Sequence, residues 1–169
     1  MSDHPRKHQL TIEWDDPSND IAAAMQMNGL DYMQSLLDRH MTPPPIALLM
    51  DFTMDSVADG YAMFKGTPSA RHINPLGVVH GGLAATLLDS AMGCAVHTTL
   101  SAGKIYTTAQ LNIHMTRTIT PQVGELIAEG RVIHRGSRMV TAEATLKDAQ
   151  GKLYAHGTTT CFVITLGDG

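Results

Sequence analysis

One acidic residue, Asp89, stands inside a segment that is otherwise apolar and follows two glycines. Apolar residues recur at helical spacing over residues 83–96, which predicts a largely buried helix. A buried carboxylate is costly unless it is paired or hydrogen-bonded, so Asp89 either points to solvent or has a chemical role. An acid in such a place can activate water or attack a carbonyl carbon directly. The segment therefore contains one of the groups that hydrolysis at a carbonyl requires.

Gly81 and Gly82 supply a second such group. They stand where the helix begins, after the turn signals of Asn74-Pro75 and Gly77. The first N–H groups of a helix lack intrahelical acceptors, and the helix dipole adds positive potential there. These donors can stabilise the negative charge that develops on a carbonyl oxygen. The alternative is that the glycines only let the helix pack closely, and the two roles are compatible.

The two candidate groups are too far apart to act on one carbonyl within one chain. Gly81 and Asp89 are eight residues apart, or about 12 Å along a helix axis. His80 and Asp89 point to nearly opposite sides, because nine steps of about 100° leave half a turn. If both groups are catalytic, Asp89 must come from a second copy, and a two-fold dimer then has two equal sites. Small residues on the Asp89 face would let a second helix approach: Gly82, Ala85, Thr86 and Gly93.

A family resemblance rests on two stretches. The pattern N-P-x-G-V-V-H-G-G-x-x-x-x-x-L-D over residues 74–89, with the strand TTAQLNIHMTR over residues 107–117, resembles the PaaI-like acyl-CoA thioesterases of the hotdog-fold superfamily. It is also similar to the wider 4-hydroxybenzoyl-CoA thioesterase group, and it runs from about residue 46 to 164. It implies an α+β hotdog fold, in which a curved antiparallel sheet wraps around one long central helix. It also implies a dimer or tetramer with sites at the subunit interface.

The resemblance also implies roles for five residues. The N–H of Gly81 polarises the thioester carbonyl, and Asp89 acts as base or nucleophile, two routes between which the sequence does not choose. Asn74 orients the water or the acid. His80 helps to position the loop or the thioester, although a purely structural role for this histidine is the alternative. Thr108 donates a hydrogen bond to the nucleophilic water.

The strand that contains Thr108 offers further candidates. Polar and apolar residues alternate over nine residues from Thr108, which predicts a strand and places Gln110 and Asn112 on the same face. We expect these two residues, together with Gly82, to position the substrate. Thr107 precedes Thr108, so the alignment with the family could be shifted by one residue.

Two arginines flank a predicted hairpin turn over residues 134–138. Arg135 and Arg138 are candidates for binding the phosphates of CoA, because a guanidinium makes bidentate contacts with phosphate oxygens. A solvated hairpin without a ligand is the alternative.

Composition excludes several classes of protein. The 169 residues suggest one domain, and a net charge of −4 without a basic cluster argues against a nucleic-acid partner. No signal peptide or long apolar run is present, and the two cysteines are most simply reduced, so we expect a cytoplasmic protein. The nine histidines lack metal-ligand spacing, and the apolar setting of Cys94 disfavours a nucleophilic thiol. We therefore expect no metal, no cofactor and no membrane association.

Periodicity and turn residues predict the order of the elements. A tail and a helical extension occupy residues 1–45, with a helix capped near residues 18–20 and ending near residue 40, before three prolines. The thioesterase-like domain occupies residues 46–169, with the central helix ending near Leu100 and a four-strand meander after it. The predicted strands are 46–57, 59–65, 108–116, 125–134, 138–147 and 152–165.

These inferences predict an acyl-CoA thioesterase that releases a free acid and CoA without a cofactor. One alternative is a hydratase or dehydratase on the same fold, which would release no thiol. The other is a non-catalytic acyl-CoA-binding module, against which the presence of Asp89 argues. The acyl preference, the choice between dimer and tetramer, and the role of the N-terminal helix stay open.

Overall fold

The central helix predicted from the apolar spacing is α4, Gly81–His97. The structure is a computed structural model, and it describes residues 7–166 of the chain. Leu87, Leu88 and Met92 of α4 are completely buried, and α4 contacts all six strands of one sheet. A sheet can place every strand against one helix only by curving around it. The predicted α+β architecture, with a sheet around a central helix, is therefore confirmed.

The sheet is antiparallel throughout, with the strand order β1-β2-β4-β5-β6-β3. Its strands are β1 (Phe52–Ala58), β2 (Tyr61–Gly66), β3 (Lys104–Met115), β4 (Leu126–Arg135), β5 (Met139–Asp148) and β6 (Leu153–Thr165). The predicted four-strand meander is wrong for β3, which pairs with β6 and forms an edge of the sheet. The chain passes through α4 between β2 and β3 and reaches the far edge, so β4 pairs with β2.

Residues 17–50 contain three short α-helices rather than one long helix. They are α1 (Ile21–Ala24), α2 (Gly29–Leu37) and α3 (Pro45–Met50), and a 3₁₀ turn, Pro17–Asp20, precedes α1. The predicted continuous helix to residue 40 is wrong because Asn28 begins a new one: its side chain accepts a hydrogen bond from the N–H of Asp31 at 2.9 Å.

The predicted strand over residues 46–57 is also wrong in its first half. Pro45 stands at the start of α3, where its fixed φ favours a helix. Asp51 then adopts a left-handed conformation (φ 54°, ψ 57°) that ends the helix, and β1 begins at the next residue. A tight turn joins β1 to β2, with Gly60 at φ 70°.

The N-terminal helices close the C-terminal end of α4. The N–H of Gly29 donates to the carbonyl of Leu100 at 2.8 Å, and Met33 is only 4% exposed. The Tyr32 ring contacts the imidazole of His97, with 5.3 Å between the ring centroids. None of the helices within residues 7–166 has the length and hydropathy of a membrane span.

Candidate active site

Asp89 lies half-buried on α4 and receives one side-chain hydrogen bond. The hydroxyl of Thr108 on β3 donates to its Oδ1 at 3.1 Å. The four ion pairs among residues 7–166 all lie elsewhere. Burial raises the pKa of Asp89, and the Thr108 bond opposes that rise. The carboxylate is thus neither an ordinary surface acid nor one neutralised by a cation of the described chain.

The register of β3 decides which of its polar side chains face α4 and Asp89. Thr108 pairs with the buried Cys161, whereas Gln110 pairs with the next residue back along β6, Thr160, because Ala109 forms a bulge. A bulge of one residue moves every later side chain of the strand to the opposite face of the sheet. The prediction that Gln110 and Asn112 share a face with Thr108 is therefore wrong, and both lie on the outer face of the sheet. Thr108, not Thr107, reaches the acid.

The start of α4 presents one free backbone donor. His80 is the N-cap, and its Nδ1 accepts a hydrogen bond from the N–H of Gly82 at 2.9 Å. A neutral His80 in this geometry therefore carries its proton on Nε2. The N–H of Gly81 has no acceptor within residues 7–166, and Gly81 is exposed. Of the two glycine N–H groups, only that of Gly81 is available to a ligand.

Asn74 holds the turn that leads into α4. Its Oδ1 accepts from the N–H of Leu76 at 2.9 Å and from that of Val78 at 3.4 Å. The backbone N–H of His80 donates to the carbonyl of His72 at 2.8 Å, which fixes the end of the same segment. The side-chain carbonyl oxygen of Asn74 is therefore used within the turn.

Strand β3 runs along the small-residue face of α4 in the opposite direction. The Tyr106 ring lies against Gly93, Thr108 meets Asp89, and Met115 Cε lies 3.3 Å from the place a Cβ on Gly81 would occupy. Neither Tyr106 nor Met115 is among the site residues predicted from the sequence. The alternation of β3 would have found Tyr106, because it stands two residues before Thr108 on the same face.

The predicted phosphate-binding arginines line two adjacent depressions, and neither forms an ion pair with Asp89. Arg135 is paired with Asp59, its Nη2 lying 2.9 Å from each carboxylate oxygen. It also lines an open cavity of about 300 Å³ with Lys104 and Ser137, beyond the C-terminal end of α4. Arg138 lies in a neighbouring depression with Met139 and Phe162.

Cys94 is excluded as a nucleophile by its surroundings. Burial raises the pKa of its thiol to about 12, so the reactive thiolate is absent at neutral pH. Both cysteines of the chain are free thiols. Within residues 7–166, no group of three or more His, Cys, Asp or Glu side chains is arranged to hold a metal ion.

Comparisons with known proteins indicate which family the chain resembles. A thioesterase-superfamily model matches residues 76–155. A putative esterase of Halobacterium salinarum is 37% identical over 70 residues, which are 41% of this chain and 46% of that relative. The chain thus spans about half the length of the curated relative that it matches.

Two solved structures illustrate the fold. The PaaI protein from the phenylacetic acid degradation operon of Escherichia coli has a TM-score of 0.70 and 20% identity, covering 83% of this chain and 99% of that one. A Streptococcus mutans protein bound to acetyl CoA has a TM-score of 0.62 and 26% identity, covering 69% and 90%. The resemblance predicted from residues 74–89 is confirmed: residues 76–155 match the thioesterase-superfamily model, and the chain has the hotdog fold of these solved structures.

Proposed function

We propose that this protein hydrolyses acyl-CoA thioesters to a free carboxylic acid and CoA. The observation that carries the proposal is the half-buried Asp89 carboxylate, which is held by Thr108 and has no cation among the described residues. The free N–H of Gly81 at the start of the same helix is the matching donor for an oxyanion. The superfamily match over residues 76–155 supports the same reaction class.

The proposed site is shared between two copies of the chain. Eight residues of α4 separate Gly81 from Asp89, or about 12 Å along the helix, so one carbonyl cannot contact both within one protomer. Side by side, two antiparallel copies of α4 would bring Asp89 of one copy to the helix start of the other. The residues that would meet between the helices, Ala85 and Thr86, are small enough for close approach.

Edge strand β3 supports this self-association. Within residues 7–166 no strand pairs with the outer edge of β3, and Ile105 and Leu111 are 38% and 37% exposed. Residues 105–115 contain no charge and no proline, the devices by which proteins usually protect an edge. Pairing of β3 with β3 of a second copy would cover this strand, and it would extend the sheet across the two-fold axis. We therefore propose a homo-oligomer built on such dimers.

The reaction needs no cofactor in this scheme. Asp89 accepts a proton from water that attacks the carbonyl carbon, or attacks that carbon itself to form an anhydride that water then opens. The charge on the carbonyl oxygen is stabilised by the N–H of Gly81 of the partner subunit. The carbon–sulfur bond breaks, CoA leaves as a thiolate and gains a proton, and the acyl group leaves as the carboxylate.

Cations near the end of α4 suit the phosphates of CoA. Lys104 and Arg135 border the cavity beyond residue 100, and Arg138 lies in the depression beside it. The similar Streptococcus mutans protein was solved with acetyl CoA bound, which supports a CoA ester as substrate. Gln110 and Asn112 are left out of the proposed site because they face the opposite side of the sheet. Two free thiols fit a reducing compartment such as the cytoplasm.

Release of free thiol from a panel of acyl-CoAs tests the proposal. The purified protein is incubated with short-chain, long-chain and aromatic acyl-CoAs, and CoA is measured continuously with a thiol reagent. We expect turnover with at least one ester and release of one thiol per acid formed. Double-bond hydration without thiol release would indicate a hydratase, and tight binding without any turnover would indicate a binding module; either result contradicts the proposal.

The pH dependence of the reaction should follow the ionisation of the Asp89 carboxyl group. Because the base must be charged, kcat/KM is retained above the pKa of Asp89 and lost as the pH falls through it. Burial raises this pKa above the ordinary value of about 3.9, so the acid limb should lie above that pH. Thr108→Val removes the donor that favours the charged form and should move the limb to still higher pH.

Thr107→Val is the matched control for this profile. Thr107 precedes Thr108 and pairs with Phe162 on the outer face, so its replacement should leave the acid limb in place. Profiles are measured from about pH 4 to pH 8, with circular dichroism to show that each variant stays folded. If the acid limb moved with Thr107→Val and not with Thr108→Val, the assignment of Thr108 as the donor to Asp89 would be wrong.

A further inference from the structure

A tyrosine beside the proposed base has no role in the scheme above. The phenol of Tyr106 on β3 lies directly against Gly93, four residues after Asp89 on the same face of α4. A Cβ at residue 93 would overlap the Tyr106 hydroxyl and would lie 2.9 Å from Cζ and from Cε2. Glycine is a poor helix former, but at this position any larger residue would displace the phenol.

Neighbouring rings hold this phenol in place. The Tyr106 and His97 centroids are 5.8 Å apart with planes at 64°, and His97 in turn contacts Tyr32 of α2. The row of three rings connects the N-terminal helix α2 to the helix face that carries Asp89. Edge-to-face contacts of this kind fix ring orientation, so the position of the Tyr106 hydroxyl is determined by packing.

The hydroxyl itself is uncommitted. It makes no hydrogen bond with any residue in the range 7–166. Burial raises the pKa of Tyr106 well above its usual value. The phenol therefore stays protonated at neutral pH and can act as a donor.

The carboxylate of Asp89 has room for one more donor. Thr108 occupies Oδ1, and no described residue donates to Oδ2. The ionisable groups around it are Cys94 on α4, Tyr106 on β3 and Cys161 on β6. Burial raises the pKa of each, so all three are neutral near pH 7. Of these three, the phenol is the strongest hydrogen-bond donor.

We propose that Tyr106 is a positioning residue for Asp89, its hydroxyl donating through one water molecule to the second carboxylate oxygen. The inference rests on the proposed function for its kinetic consequence, but the contact itself does not. A bridging water suits the geometry because the Tyr106 hydroxyl lies against Gly93, one helical turn from Asp89, and makes no direct hydrogen bond with that carboxylate. Tyr106 and Thr108, two residues apart on one strand face, then hold the carboxylate from both sides in its charged form.

Tyr106→Phe tests this inference, with Tyr32→Phe as its control. Both changes remove one hydroxyl and keep the ring row, and Tyr32 lies at the end of the row away from Asp89. The first readout is direct titration of the Asp89 carboxyl by carbon-13 NMR in the full-length protein. Loss of a donor to the charged form should raise the Asp89 pKa in Tyr106→Phe, and Tyr32→Phe should leave it unchanged.

The second readout is kinetic. Tyr106→Phe should lower kcat by about 10-fold or more, the scale of a lost hydrogen bond to a charged group, with KM nearly unchanged and the acid limb shifted upward. An Asp89 titration identical in wild type and Tyr106→Phe would overturn the inference. The titration needs no substrate, so it separates the two proposals: a shifted pKa in a protein that hydrolyses no acyl-CoA would reject only the proposed function.

Discussion

Asp89→Asn is expected to lower kcat/KM for acyl-CoA hydrolysis by about 10³-fold, the range for loss of a positioned base. Asn has nearly the same shape and can still accept the Thr108 hydrogen bond, so the local packing is kept. It can neither take a proton from water nor form an anhydride. The change also removes a charge that burial disfavours, so the melting temperature should not fall.

The measurement pairs activity with thermal unfolding at one fixed protein concentration. Asp55→Asn is the control, because Asp55 pairs with Lys65 at 2.6 Å on the surface of β1 and β2. It should retain activity within about two-fold, as surface ion pairs contribute little. Near-normal turnover by a folded Asp89→Asn variant would show that Asp89 takes no part in the reaction, and it would contradict the proposed function.

Gly81→Pro is expected to lower kcat by about 10²–10³-fold, because it deletes the backbone donor proposed to bind the oxyanion. Proline suits the first position of a helix, where its missing N–H breaks no helical bond. His80 is extended (φ −64°, ψ 134°), a conformation that a following proline allows. The substitution therefore removes one N–H and leaves α4 intact.

Gly81→Ala separates loss of the N–H from the added bulk. A Cβ at this position meets only the flexible end of Met115, at 3.3 Å, so Ala should keep most of the activity. The two variants are compared by kcat and by circular dichroism. Equal activities for Gly81→Pro and Gly81→Ala would show that this N–H takes no part in the reaction.

Mixing the two inactive variants tests whether the site is shared. Random exchange of Gly81→Pro and Asp89→Asn subunits makes about half of the dimers mixed, and each mixed dimer holds one site with both native groups. About a quarter of the wild-type activity should return after the chains are dissociated and reassociated. If each site lay within one chain, the mixture would stay inactive.

Local sequence signals determined much of this fold. The helical spacing after Gly81, the turn residues and the alternating strands predicted α4, the turn over residues 134–138 and strands β4 to β6. They sufficed because helix periodicity and turn chemistry act between residues close in the chain. The same signals failed over residues 46–57, where a short apolar run fits a helix turn and a strand equally well.

The candidate site was likewise predicted in part from the sequence and decided in part by the tertiary structure. The motif over residues 74–89 identified Asp89 and the glycines at the helix start, because their types and spacing are visible in the chain itself. That Thr108 and not Thr107 reaches the acid was decided by the pairing of Thr108 with the buried Cys161, and that Gln110 faces outward was decided by the bulge at Ala109. The contact of Tyr106 with Gly93 likewise exists only because β3 lies along α4. Pairings between distant segments depend on packing across the whole sheet, and no local pattern in β3 encodes them.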